Sequence, residues 1–321
     1  MPATLLLPLL KTRSIWLALV LVLIAEFTVR IVMPSGKIPK GAYHSSEFRQ
    51  QVELYRDTVP VDMLIIGSSV AAVNYPPVPL DDQLHALGIQ DFTTYNAGIR
   101  GCNYSCIATG IRRHYTSVFQ PEYILAVVGP ADLNIDNAGV VDRSNRFAAD
   151  MQRNNLVRNA RQILSSLSSL YGFKEEVRQW LTSGEWDFDP ALFGERGYID
   201  MGSIERKRNK AVPRITQDSE LTLSLISLLQ ELADSGSQVI LLPVEGDSLA
   251  RSLYNDNARA QMRLVLDQLT QHPDIHELTV DVSHFEDSNY IDTSHLATEV
   301  AIASSQLLAK HLVESELLKA R

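Results

Sequence analysis

Met63-Leu64-Ile65-Ile66-Gly67-Ser68-Ser69 is a short apolar run that stops at a glycine and passes directly into two hydroxyl side chains. A run of this length bounded by a turn residue suits a strand buried on both faces, as in a parallel sheet covered by helices. The turn at Gly67 then lifts Ser69 to the strand's carboxyl edge. Comparable runs recur at residues 92–96, 123–128 and 238–242, with a weaker one over 277–282. Helical patterns fill the gaps, over residues 82–87, 103–119, 217–233, 247–270 and 294–314. This alternation predicts an α/β fold: a three-layer α/β/α sandwich with a mainly parallel, flavodoxin-like sheet. In such sheets the site lies beyond the carboxyl ends of the strands. The loops at Ser69, at Gly98 to Gly101 and at Gly129 to Asn134 therefore converge on one edge.

A second segment, Tyr290-Ile291-Asp292-Thr293-Ser294-His295-Leu296, places a carboxylate three residues before an imidazole at the expected start of the last helix. A serine hydroxyl is a poor nucleophile alone. It needs a base within hydrogen-bond reach, and the base needs a third group to fix its tautomer. Ser69, His295 and Asp292 supply one candidate for each role. Each fragment alone also has a structural reading, the first as a turn or helix N-cap, the second as a capped helix start with an exposed imidazole. Their joint occurrence, with sheet elements between them, favours the catalytic one. A second Asp-x-x-His, Asp281 to His284, ends the doubtful fifth strand with no long helix directly behind it. The pair before the last helix is therefore preferred, with His284 lining the site or capping the strand.

The net charge of −9 over 321 residues argues against a general nucleic-acid binder, which needs a basic face to neutralise phosphates. The local basic run from Arg206 to Lys210 reads as a solvated loop. The N-terminus is more informative. Lys11 and Arg13 precede residues 14–33, which are apolar apart from Ser14, Glu26, Thr28 and Arg30. About twenty helical residues cross a bilayer core, and the basic flank favours a cytoplasmic N-terminus. Residues 1–33 are thus expected to be a single-pass anchor in the inner (cytoplasmic) membrane, 34–60 a linker, and 61–321 an extracytoplasmic, periplasmic domain. A cleaved signal peptide and a buried globular helix are the competing readings. Cys102 and Cys106 are the only cysteines. Spaced four apart at an expected helix start, they would need distortion to bridge, so two buried thiols are expected. Between the third strand and the helix from residue 217 lies a long insertion, residues 135–216. It contains an aromatic-rich loop from Trp186 to Tyr198 that reads equally as a sugar-stacking lid or as ordinary packing.

Taken together, these residues resemble the SGNH (GDSL-like) hydrolase superfamily. More narrowly they resemble its membrane-anchored branch acting on cell-surface polymers, such as the alginate O-acetylation and teichoic-acid D-alanylation proteins. Gly67-Ser68-Ser69 stands for the family's Gly-Asp-Ser block, Asn96-Ala97-Gly98-Ile99-Arg100-Gly101 for its second block, and Asp292 to His295 for its Asp-x-x-His block. The third block, Gly-x-Asn-Asp, departs: Gly129-Pro130-Ala131-Asp132 has alanine in place of the oxyanion-donating asparagine.

The resemblance implies a serine esterase or O-acyltransferase with Ser69, Asp292 and His295 catalytic. Backbone N–H groups of Ser69 and Gly101 would form the oxyanion hole, with Asn134 as a substitute donor. Gly67, Ser68, Asp132 and His284 would line the site. No cofactor or metal is implied. The implied partners are an acylated glycan or acyl donor, the membrane, and a multi-pass membrane O-acyltransferase, with no nucleic acid. The rival reading is a degenerate site that binds glycan or holds an assembly together. The two differ in whether Ser69 reacts with a fluorophosphonate.

Overall fold

The structure is a computed structural model, and it describes residues 20–28, 51–52, 54–136, 144–145, 195–199, 212–280 and 285–318. The chain divides into two compact units: residues 1–47 with 153–191, and residues 48–152 with 192–321. In the first unit residues 20–28 are helical and expose Leu21, Val22, Leu23, Ile24 and Phe27. Among the described residues no helix is long and apolar enough to cross a membrane.

The second unit carries the sheet. Its strands are β1 (Met63–Ile66), β2 (Thr94–Asn96), β3 (Tyr123–Val128), β4 (Gln238–Pro243) and β5 (Ile275–Glu277). They lie in the order β2-β1-β3-β4-β5, every pair parallel. The register sets Met63 between Thr94 and Tyr123, so all three leading strands end at one edge. The helices are α1 (Ser69–Asn74), α2 (Pro77–Ala86), α3 (Tyr104–Gly110), α4 (Glu220–Asp234), α5 (Ser248–Leu253), α6 (Asp256–Leu269) and α7 (Thr298–Glu314).

The apolar runs divide by parity, because successive side chains point to opposite faces of a strand. Leu64, Ile66, Ile124, Ala126, Val239 and Leu241 pack with Ile107 of α3, Leu225 and Leu229 of α4, and Val265 of α6. Met63, Ile65, Leu125, Val127, Ile240 and Leu242 pack with Leu80 and Leu84 of α2 and with Leu308 and Leu312 of α7. Two apolar faces on one sheet make the three layers.

Several boundaries differ from the sequence expectation: α2 begins at Pro77 rather than residue 82, β2 begins at Thr94 rather than residue 92, and within the expected 103–119 helix α3 gives way at Ile111–Tyr115 to a π-helical turn. The fifth strand is residues 275–277 rather than 277–282, since an edge strand with half-buried His276 and Glu277 carries no continuous apolar run. The helix expected over 247–270 is two, because Asn255 accepts from the Ala258 amide and so caps a new start. The last helix begins at Thr298, not at Ser294, for a reason that lies in the site.

The expected thiols are instead a disulfide between Cys102 and Cys106. Cys102 precedes the N-cap Asn103, so its backbone is outside the helix and free to turn back. The two Cα atoms are 5.4 Å apart, within the ordinary disulfide span. The pair Asp281 to His284, the loop from Trp186 to Phe193, the basic run from Arg206 to Lys210 and the linker up to residue 50 lie outside the described residues.

Candidate active site

The turn after β1 admits only glycine at residue 67. Its φ is +151°, and a Cβ there would come within 2.8 Å of both the Val127 carbonyl and the Ala71 side chain. The loop after β2 lies against this turn. The Ile99 amide donates to the Gly67 carbonyl at 2.9 Å, and a Cβ on Gly98 would sit 2.4 Å from the Ala72 nitrogen. Asn96 ties the two together: its amide donates to the Ala71 and Tyr75 carbonyls and accepts from the Gly98 N–H. Gln51, also buried, donates to the carbonyls of Gly98 and Gly197. Gly101, with φ of +72°, turns the chain into the disulfide and α3.

The two serines have different surroundings. Ser68 is the N-cap of α1 and is buried, yet it caps no amide; its hydroxyl donates to the carboxylate of Asp132. Ser69, the first residue of α1, is half-buried, and its hydroxyl makes no hydrogen bond among the described residues. Asp132 lies in the short 3-10 turn Pro130–Leu133 after β3 and also accepts from the Gly129 amide at 2.8 Å. Burial pushes its carboxyl up to about 6, against the Ser68 and Gly129 hydrogen bonds and the nearby charge of His295. Asp132 therefore joins the loop after β1 to the loop after β3 within electrostatic range of the imidazole.

Asp292 organises the opposite side. One carboxylate oxygen accepts from the amides of Ser294 and His295, both at 2.9 Å. This turn occupies the amides that would otherwise open the last helix, which is why α7 starts later. The other oxygen meets His295 Nδ1 at 2.7 Å. Burial opposes ionisation of Asp292, but the His295 hydrogen bond and charge and the two amides outweigh it, holding the carboxyl at about 2. An ionised partner at Nδ1 makes that nitrogen the donor, so that in the neutral imidazole Nε2 carries the lone pair. Nε2 is buried and has no hydrogen-bond partner among the described residues. The loop is closed at its neck by the Tyr290–Leu296 bridge and by the Ile291 amide on the His295 carbonyl. The Asp247 amide donates to the Thr293 carbonyl from the loop after β4.

A cavity of about 240 Å³ adjoins His295, Asp292 and Asp132, with Val70, Ala131 and Phe285 among its apolar walls. Ala131 is exposed and offers only a methyl group there. Asn134 is buried, and its carbonyl oxygen accepts from the Asp136 and Arg214 amides. It pins the two ends of the long insertion and is not among the residues lining the cavity. Tyr198 is buried beside Ile199 rather than presented for stacking.

The sequence reading missed Asn74 and Gln51, and it named Asn96 in the second block without giving it a role. For Asn74, closing the apolar run Val70 to Val73, the signal was an amide in a buried stretch that must find partners; Gln51 lies in a polar stretch and carried no such signal.

No protein-family model matches the sequence, and no curated protein matches it. Among solved structures it is similar to a lipase/acylhydrolase from Enterococcus faecalis, at 12% identity and a TM-score of 0.43, covering 81% of this chain and 99% of that one. It is similar to a lipolytic protein of the G-D-S-L family from Desulfitobacterium hafniense, at 9% identity and a TM-score of 0.39, covering 78% and 98%. A catalytic mutant of an acetylxylan esterase from Geobacillus stearothermophilus aligns at 13% identity and a TM-score of 0.40, covering 81% and 95%. The chain's own resemblance to the SGNH (GDSL-like) hydrolases lies in its residues: Ser69 at the end of β1, the second-block loop packed against it, and the Asp292–His295 pair before the last helix.

Proposed function

We propose that the protein is an SGNH-type serine esterase or O-acyltransferase. The observation that carries this reading is the His295 imidazole, oriented by an ionised Asp292 and holding a buried Nε2 without a hydrogen-bond partner among the described residues. A buried acceptor without a donor costs about 1–3 kcal/mol, which a purely structural histidine has no reason to bear. In the proposed reaction the Ser69 hydroxyl attacks an ester carbonyl and its proton passes to Nε2. The carbonyl π pair moves onto oxygen, where the N–H groups of Ser69 and Gly101 stabilise it. Collapse expels the alcohol, which takes the proton from His295, and leaves an acyl-serine. Water then yields the acid, or a sugar hydroxyl yields a new ester; the first half is common to both. The Ser69–His295 hydrogen bond closes as substrate binds, since catalytic contacts are often long in the empty site.

For the substrate we propose acyl esters of a surface polysaccharide or cell-wall glycan, handled outside the cytoplasm. The support is the apolar N-terminal stretch with its basic flank, together with the sequence resemblance to the anchored branch. A multi-pass membrane O-acyltransferase is the proposed partner. Ala131 favours a second reading, a degenerate site that binds acylated glycan without turnover. A fluorophosphonate probe decides: covalent labelling on the peptide containing Ser69 supports the enzyme, and an unlabelled, folded protein supports the binding role.

A further inference from the structure

Asn74 is the last residue of α1, the helix whose first residue is Ser69. It is 4% exposed, and its amide nitrogen donates to the Ser294 carbonyl at 2.9 Å while its oxygen accepts from the Leu296 amide at 2.9 Å. These two peptide groups flank His295 on either side. One buried side chain thus grips the backbone around the imidazole from the helix that carries the serine, across a sequence separation of 220 to 222 residues. We propose that Asn74 is a positioning residue that fixes His295 relative to Ser69, a role that rests on the hydrolase reading above.

The chemistry of the contact supports this. Few side chains can both donate to a carbonyl and accept from an N–H two residues further on within one planar group; an amide does both. Asn96 holds the same helix from the other side through the Ala71 and Tyr75 carbonyls, so α1 cannot slide to compensate for a lost Asn74 contact. Asp292 fixes the imidazole within its own loop, but nothing in the Asp292–His295 contact fixes that loop to the serine. The Asp247 amide on the Thr293 carbonyl ties it to the β4 side instead. Without Asn74 the dyad keeps its internal geometry and loses its reference to the nucleophile.

The experiment compares the wild type with Asn74→Ala and Asn74→Asp, the second keeping the shape and the acceptor while losing the donor. Ser305→Ala serves as control: it removes another buried tie, from the Ser305 hydroxyl to the Pro76 carbonyl, without touching the His295 loop. On a small activated ester, both Asn74 variants should lose at least ten-fold in kcat with KM within about two-fold. The rate of fluorophosphonate labelling should fall in parallel. Ser305→Ala should lower the melting temperature yet keep kcat. The imidazole is followed independently by the low-field proton resonance of His295 Nδ1–H, assigned by its loss in His295→Ala. That resonance should shift or exchange at least ten-fold faster with solvent in both Asn74 variants.

Unchanged kcat and an unchanged resonance in a folded Asn74 variant overturn the proposal, as does a kcat loss of equal size in Ser305→Ala. Should Asn74→Ala not fold, Asn74→Asp carries the same readouts. If the wild type neither turns over ester nor reacts with the probe, the hydrolase reading fails. The His295 resonance then decides the Asn74 tie by itself.

Discussion

At the residue scale, the two neighbouring serines are separable by their partners. Ser68 is committed to Asp132, whereas Ser69 stands free among the described residues at the first position of α1. Ser69→Ala is therefore expected to abolish ester cleavage, and Ser68→Ala to leave substantial activity. Steady-state rates on one activated ester check this, and equal loss in both would leave the nucleophile unassigned. His295→Ala should remove nearly all turnover, because the serine then lacks its base; His284→Ala should be milder. Ala131→Asn should preserve or raise the rate, since an amide there could donate where negative charge develops, an effect reaching about 3 kcal/mol in good geometry. A drop in kcat would show that the cavity needs the methyl group instead. The Ser69, Asp292 and His295 candidates were legible because nucleophile, base and orienter are each restricted to few residue types. The partner of Ser68 and the tie from Asn74 were not legible, because contacts between residues far apart in sequence, more than two hundred positions for Asn74, leave no local pattern.

At the scale of elements, the strands β1, β3 and β4 could be read directly, since burial on both faces demands an unbroken apolar run. Edge strand β5 and the split between α5 and α6 could not, because a half-exposed edge and a local cap override the run of helical residues. The loop after β2 is held at both ends, by Gly98 against Ala72 and by the disulfide just beyond Gly101. The bond predicts that, in protein unfolded in urea, neither Cys102 nor Cys106 is alkylated by maleimide until reductant is added. Closing so short a loop contributes about 2 kcal/mol in the chain-entropy picture, and Cys106→Ser should cost a similar amount in urea unfolding. Two thiols alkylated in urea without reductant would restore the expectation drawn from the sequence.

At the scale of the whole molecule, two buried carboxylates act on stability with the same sign. Burial raises both Asp132 and Asp81 from 3.8 to about 6. A folded value above the unfolded one means that the folded state binds more protons between about pH 4 and 6, so stability falls as pH rises through that window. The penalty is complete above about 6 and absent below about 4. Asp292 works the other way: held at about 2, its contribution is present above the unfolded value near 3.8 and is lost as pH falls towards 2. Asp132→Asn keeps an acceptor for Gly129 and Ser68 but removes one penalty. Its stability relative to the wild type should therefore be on the order of 2 kcal/mol better at pH 7 than at pH 4, measured by urea unfolding at both. A parallel dependence in the two proteins would contradict the buried titration. Asp81 also bears on how the chain can be shortened. Its carboxylate is held by the Thr94 amide and hydroxyl and by Arg196, while Gly197 fits against the Asn96 carbonyl and the Ile199 amide donates to the Ala72 carbonyl. These few residues at the far end of the long insertion are thus wired into the helix of Ser69. A deletion that removes Arg196 to Ile199 strips a counter-ion from a buried acid and unpins the nucleophile's own helix.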